Sequence, residues 1–266
     1  MQSSQTYPSD LTEHEWNIVQ PLMPKSKSGG RPTKHSRRGI LNAIFYVNRS
    51  GCQWSMLPKD FPPKSTVFDY FSAWRQSGLW EELNRRLRDK VRVAAGRKPS
   101  PTAAILDSQS VKGAEQGGKT VGYDAGKKIG GRKRHVLVDT LGMILGLCVT
   151  SAAVQDRDGA AALLSNLYLL FGRLQIIWAD GGYAGALVAW VKELRPFGKL
   201  HLDIVRRCDD AKGFQLVRKR WIVERTFSWL YKSRRLSRDY EKRTDHSESH
   251  IYVCMCRLML KRLAKS

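Results

Sequence analysis

The sequence predicts an α/β chain in two parts. Residues 1–97 read as a small all-α unit, and residues 98–266 as a mixed sheet flanked by helices. Three observations carry this. Gly, Pro and Ser gather in "AGRKPSPTA", residues 95–103, which fits a linker. Before it, apolar residues recur at helical spacing. After it, short apolar runs alternate with helical patterns, in the order three strands, helix, strand, helix, strand, helix.

The first part begins with a capping-box pattern, Thr12 with Glu15, ahead of a short helix through Leu22. "RRGILNAIFYVNRSG" predicts a second helix that stops at Gly51. Thr66 with Asp69 resembles another cap, opening "VFDYFSAWRQSG", and "LWEELNRRLRDKVRVAAG" is a strongly amphipathic fourth helix. With the basic entry segment "GGRPTKHSRRG", this suits a helix-turn-helix-like DNA-binding unit; a plain helical bundle with a solvated basic loop would read alike.

In the second part, "AAILDSQSV" is a short apolar strand. "RKRHVLVDT" and "GMILGLCVTSA" form a hairpin around Leu141-Gly142, with Asp139 as a turn residue. "DRDGAAALLSNLYLLF" is a helix, with Asp156 and Asp158 as capping residues. "LQIIWADGGY" is a buried strand that breaks at Gly-Gly, "ALVAWVKEL" a helix, and "KLHLDIVRR" a strand. Two helices follow, "RKRWIVERTFSWLYKSRRL" and "SHIYVCMCRLMLKRLA".

The chain has 266 residues, enough for a real core. Its 46 Lys and Arg against 24 Asp and Glu give a formal charge of +22. So large an excess repels itself in a compact state and points to a polyanionic partner, nucleic acid first. Basic residues recur along the whole chain rather than on one amphipathic helix, which disfavours a membrane surface. The five cysteines form no Cys-x-x-Cys pair, so reduced thiols fit better than disulfides or zinc. The start lacks the pattern of a signal peptide, and no apolar run approaches a membrane span. The expected location is the cytoplasm.

Three carboxylates stand out. Asp107 and Asp180 each follow an apolar run, where functional groups of open α/β sheets gather, although an Asp there can also form a turn. Glu224 lies three residues from both Trp221 and Phe227, which aims it at an apolar face, where an unpaired carboxylate is costly. Converging acids need a cation. Oxygen ligands without Cys or His clusters suit Mg²⁺ or Mn²⁺, two ions of which can drive phosphoryl transfer.

The same residues resemble a known family. "GRPTKHSRRGILNAIFYVNRSGCQWSMLPKDFPP", "TVFDYFSAWRQSGLW", "LDSQSVK", "GYDAGKKIGGRKRHVLVDTLGMIL", "DRDGAAALL", "IWADGGYAG" and "WIVERTFSWL", taken in this order, resemble the DDE transposases of bacterial insertion sequences, in insertion sequence family five. The resemblance implies a ribonuclease H-like catalytic domain with Asp107, Asp180 and Glu224 as its metal-binding catalytic residues. It places the Asp107 and Asp180 strands side by side, with the Glu224 helix across them. Transposases of the neighbouring family four carry a Tyr, Arg, Glu, Lys signature. Here Arg220 matches the Arg, Val217 replaces the Tyr and Tyr231 the Lys, so the phosphate-contact role falls to Lys232 or Arg234. Only 43 residues separate Asp180 from Glu224, too few for the large β-rich insertion of some relatives.

Candidate DNA contacts are Arg31, Lys34, Arg37 and Arg38 in the entry segment, Lys127, Lys128, Arg132 and Lys133 in the glycine-rich loop and after it, and Arg220, Arg225, Lys232, Arg234 and Arg235 around the late helix. The expected activity is metal-dependent cleavage and strand transfer on double-stranded DNA, at terminal inverted repeats and a target, by a dimer or larger assembly on DNA. A nuclease of the same fold, or a DNA-binding repressor or silent copy, is the alternative.

Overall fold

The computed structural model describes residues 7–24, 34–114, 118, 120–167, 171–194, 200–205 and 219–265, without the side chains of 166 and 167. The chain divides into two compact units. One holds Met1–Arg97, Lys232–Ser237 and Ser249–Ser266, the other Lys98–Tyr231 and Arg238–Glu248.

The first unit is helical. α1 (Glu13–Val19) opens on the reciprocal Thr12–Glu15 capping box. α2 (Arg37–Ser50) is capped by Ser36, whose hydroxyl accepts the Gly39 N–H, and ends at Gly51 in the left-handed region at φ 74°. α3 (Lys64–Gln76) starts after Pro63, which has no capping side chain. The predicted Thr66 cap therefore lies inside the helix. α4 (Leu79–Ala94) buries Leu83, Leu87 and Val91 at helical spacing. Phe71 stacks on His250 with ring centroids 4.7 Å apart, Asn48 Nδ2 donates to the His250 carbonyl at 2.9 Å, and Arg257 pairs with Glu15 at 2.5 Å. Those contacts explain why residues 249–266, expected in the catalytic part, group with these helices instead.

Among the described residues, the second unit carries a six-stranded mixed sheet: β1 (Ala103–Lys112), β2 (Gly122–Asp124), β3 (Ile129–Asp139), β4 (Ile144–Ser151), β5 (Ile176–Ala179) and β6 (His201–Ile204). The order is β2-β3-β1-β5-β6, with β4 also on β3. β3 runs antiparallel to β1, β2 and β4, while β5 runs parallel to both β1 and β6. The strand β2 was not expected; it pairs part of the glycine-rich stretch to β3. Asp139 makes the β3–β4 turn as anticipated, its Oδ1 accepting the N–H groups of Leu141 and Met143.

Helices α5 (Asp156–Leu167) and α6 (Ala186–Glu193) belong to the main core, where Leu106, Leu137 and Ile177 meet Ala160, Leu163, Leu187 and Val191. Gly159 brings α5 close: a Cβ there would lie 2.1 Å from the His135 ring. α7 (Arg220–Tyr231) contacts β1. α8 (Thr244–Leu263) starts in this unit and continues into the helical one. No described helix is long and apolar enough to cross a membrane.

Candidate active site

Strand alternation builds the site. Ile105 of β1 stands opposite Trp178 of β5, so Asp107 and Asp180, each two residues on, fall beside one another on the same face. Leu106 and Ala179 turn to the other face, into the core. Asp107 is not at the end of its strand. β1 runs on to Lys112 because β3 pairs with it from Ala104 onward; pairing with β5 stops at Ile105, two residues before Asp107. A small open pocket is lined by Ile105, Asp107, Trp178, Asp180, Val205 and Arg220.

The β3–β4 turn seats α7. Thr226 Oγ1 donates to the Gly142 carbonyl at 2.9 Å, and Arg225 Nη2 to the Leu141 carbonyl at 3.0 Å. Gly142 is left-handed at φ 82°, and a Cβ on it would lie 2.8 Å from Thr226 Oγ1. The buried face of α7 is Ile222, Val223, Thr226, Phe227 and Leu230. Trp221 is 39% exposed and the Glu224 side chain 55%. The inward-pointing Glu224 expected from spacing is thus corrected: it sits at the solvent edge, 3.3 Å from Arg220 Nε. Arg220 Nη1 also lies 3.6 Å from Asp180 Oδ2. One guanidinium therefore joins the second and third acids.

Asp107 is half-buried and accepts the Ser108 N–H at 2.7 Å. Burial, with the charge of Asp180, pushes its carboxyl up to about 6, against the pull of that N–H, Arg220 and Lys127. Asp180 also forms a turn, its Oδ1 accepting the Gly182 N–H at 2.9 Å. Both properties suit a hard cation: the donors are oxygens, and Asp107 holds a carboxylate at a cost that added positive charge would relieve. Among the described residues, however, no three acidic, His or Cys side chains are grouped to hold a metal ion. Asp107 and Asp180 come together, while Glu224 reaches them through Arg220.

The basic residues divide. Arg132 is buried, its Nη1 3.0 Å from Asp239 and its Nη2 donating to Thr120 and the Lys242 carbonyl. Lys133 is buried between Asp156 at 2.9 Å and Asp124 at 3.2 Å. Arg235 is buried and donates to the Cys52 carbonyl. These three are internal and are withdrawn as DNA contacts. Arg225 stacks against Trp221 and Trp229, and Arg38 pairs with Glu13. Lys34, Lys127, Lys128, Lys232 and Arg234 are exposed, and Arg37 is partly so. Arg31 lies outside the described residues.

Sequence reasoning missed the charge network on the other face of β1. Ser108 Oγ donates to Asp156 at 2.8 Å and Ser110 Oγ to Asp124 at 2.5 Å, with Lys133 between the two acids. Lys127 Nζ reaches the Ser108 carbonyl at 3.3 Å. Asp156 was read only as a helix cap. The available signal was β1–β3 alternation, which puts Ser108, Ser110 and Lys133 on one face.

Comparisons agree along the chain. Residues 11–84 match the family described as "Putative transposase of IS4/5 family", and residues 98–260 match the "Transposase DDE domain" family. The chain is 29% identical over 133 residues to "Putative transposase for insertion sequence element IS402" of Burkholderia cepacia, covering 47% of this chain and 61% of that protein. It is 31% identical over 116 residues to "Insertion element IS402 uncharacterized 16.2 kDa protein" of the same organism, covering 41% of this chain and 77% of that one. With its two acids side by side on parallel strands and a family match over most of its length, the chain belongs to the DDE transposases of the IS4/5 type.

Proposed function

We propose that the chain binds the terminal inverted repeats of its own insertion sequence, cuts the 3′ ends and joins them to target DNA. The observation that carries this is the pairing of Asp107 and Asp180 on neighbouring parallel strands, with Arg220 and Glu224 of α7 beside them. Asp107 and Asp180 would hold Mg²⁺ or Mn²⁺, in a two-ion arrangement, and Glu224 would complete the ligand set of the second ion. Such ions supply activation of water or a 3′-hydroxyl and stabilisation of the leaving oxygen.

The chain's own residues do the placing. The Ser108 N–H orients Asp107, the Gly182 N–H orients Asp180, and the β3–β4 turn fixes the pitch of α7. Exposed Lys127, Lys128, Lys232 and Arg234 are suited to hold the phosphate backbone. The central β1, parallel to β5 and antiparallel to β3, supports a ribonuclease H-like reading of the second unit. We assign DNA-end recognition to the helix-turn-helix-like region within residues 1–97, and catalysis to a domain within 98–266. Joining two ends calls for at least a dimer on DNA, acting in the bacterial cytoplasm.

The test uses duplexes carrying the sequences that flank the gene, with Mg²⁺ or with EDTA. Metal-dependent nicks at the element's boundary, followed by strand-transfer products, are expected. Nicks without transfer would make the chain a nuclease, and binding without either would make it a repressor or silent copy.

A further inference from the structure

Arg220 lies 3.6 Å from Asp180 and 3.3 Å from Glu224, and lines the same pocket as Asp107. Its Nε is at ion-pair distance from Glu224 but makes no hydrogen bond. Charge rather than a directed bond thus links this Nε to Glu224. The side chain keeps 33% exposure, so it has a route out to solvent. Glu224 is one turn further along the same helix, so the two side chains can part by rotation while α7 stays seated. Three carboxylates outnumber the two cations that act on them, Arg220 and Lys127, so the site stays negative and draws a further cation; that added charge then repels the guanidinium.

We propose that Arg220 is the resident cation of this carboxylate site, and that a divalent metal competes with it for Asp180 and Glu224 and releases it to a DNA phosphate. This rests on the reading of Asp107, Asp180 and Glu224 as metal ligands. A freed guanidinium at the pocket is well matched to phosphate, which it can grip with two parallel N–H bonds. Metal binding and DNA binding are thereby coupled, and the coupling is reciprocal: each strengthens the other.

The experiment titrates the full chain, without DNA, with Mn²⁺ and follows the free ion by electron paramagnetic resonance. It compares the parent, Arg220→Met, Arg220→Lys and Asp180→Asn, with circular dichroism to establish folding. Arg220→Met should bind Mn²⁺ about fivefold tighter, the worth of one exposed ion pair at the upper end. Arg220→Lys, charged but unable to span both acids, should fall between. A second arm measures affinity for a short labelled duplex with and without Ca²⁺. The ion should tighten binding by the parent, and Arg220→Met should lose that increment. Unchanged or weaker Mn²⁺ affinity in Arg220→Met, with affinity lost in Asp180→Asn, would overturn the competition and leave the metal site standing. Unchanged affinity in Asp180→Asn would overturn the metal site itself, and the competition with it.

Discussion

Replacing Lys133 by Met separates an internal ion from a DNA contact. The Lys133 side chain is 6% exposed and lies 2.9 Å from Asp156, 3.2 Å from Asp124 and 2.9 Å from the Val154 carbonyl. Met fills similar volume without charge and leaves two carboxylates facing each other across its place. Breaking a buried pair from one side costs about 3–5 kcal/mol. The Asp156 side chain keeps 30% exposure and can rehydrate, so the low end, about 3 kcal/mol, is expected. At about 2–4 °C per kcal/mol for a unit of this size, the thermal midpoint should fall by about 6–12 °C. The same network holds Asp124 down to about 2 from its ordinary 3.8, through Ser110, the Lys127 N–H and Lys133. A depressed carboxyl gives stability that is present above 3.8 and lost as pH falls toward 2, so the gap between parent and variant should close on acidification. Thermal unfolding followed by circular dichroism at pH 7 and at low pH reads both. A midpoint within 1 °C of the parent, with DNA affinity reduced, would refute the internal role.

Other outcomes follow from the same geometry. Asp107→Asn should raise the midpoint at pH 7, because burial makes the ionised form costly; the gain should disappear below about pH 4, where the group is protonated in both folded and unfolded chains. Burial pulls His135 down to about 4, so the folded chain resists protonation while the unfolded chain accepts it. Stability should therefore fall as pH drops from about 6.5 to 4, and His135→Gln should flatten that limb of a midpoint-against-pH curve. Gly159→Ala should cost about 1–3 kcal/mol by forcing α5 off the His135 ring, read as urea midpoint. Arg132→Met should lower stability by about 3 kcal/mol or more by stranding buried Asp239, without changing the salt slope of DNA binding in the folded protein.

Much of this architecture was legible because its signals are local. The Thr12–Glu15 box, the stop at Gly51, the Leu141-Gly142 turn and the apolar runs before Asp107 and Asp180 each state a local rule that the structure obeys. Pairing across the sheet was less accessible. The run Arg132-Lys133-Arg134 resembles a DNA-facing patch when read as charge alone. It lies on β3, which has strands on both edges and is covered on both faces, so Arg132 and Lys133 there had to find internal acids. The consecutive Val136, Leu137 and Val138 already marked such a strand. Glu224 misled for a related reason. Treating Trp221 as core rotated the inferred apolar face of α7 toward the glutamate, whereas the face centres on Val223, Thr226 and Phe227. Its partnership with Arg220 one turn earlier was readable as an i, i+4 pair.

The central claim is that Asp107, Asp180 and Glu224 form one catalytic site. The direct measurement is cleavage and strand transfer on end-bearing duplexes in Mg²⁺ or Mn²⁺, by the parent and by Asp107→Asn, Asp180→Asn and Glu224→Gln. All four should bind the ends, and only the parent should produce cut and joined DNA. Cutting at the element boundary by any of the three variants at the parent's rate would contradict the account.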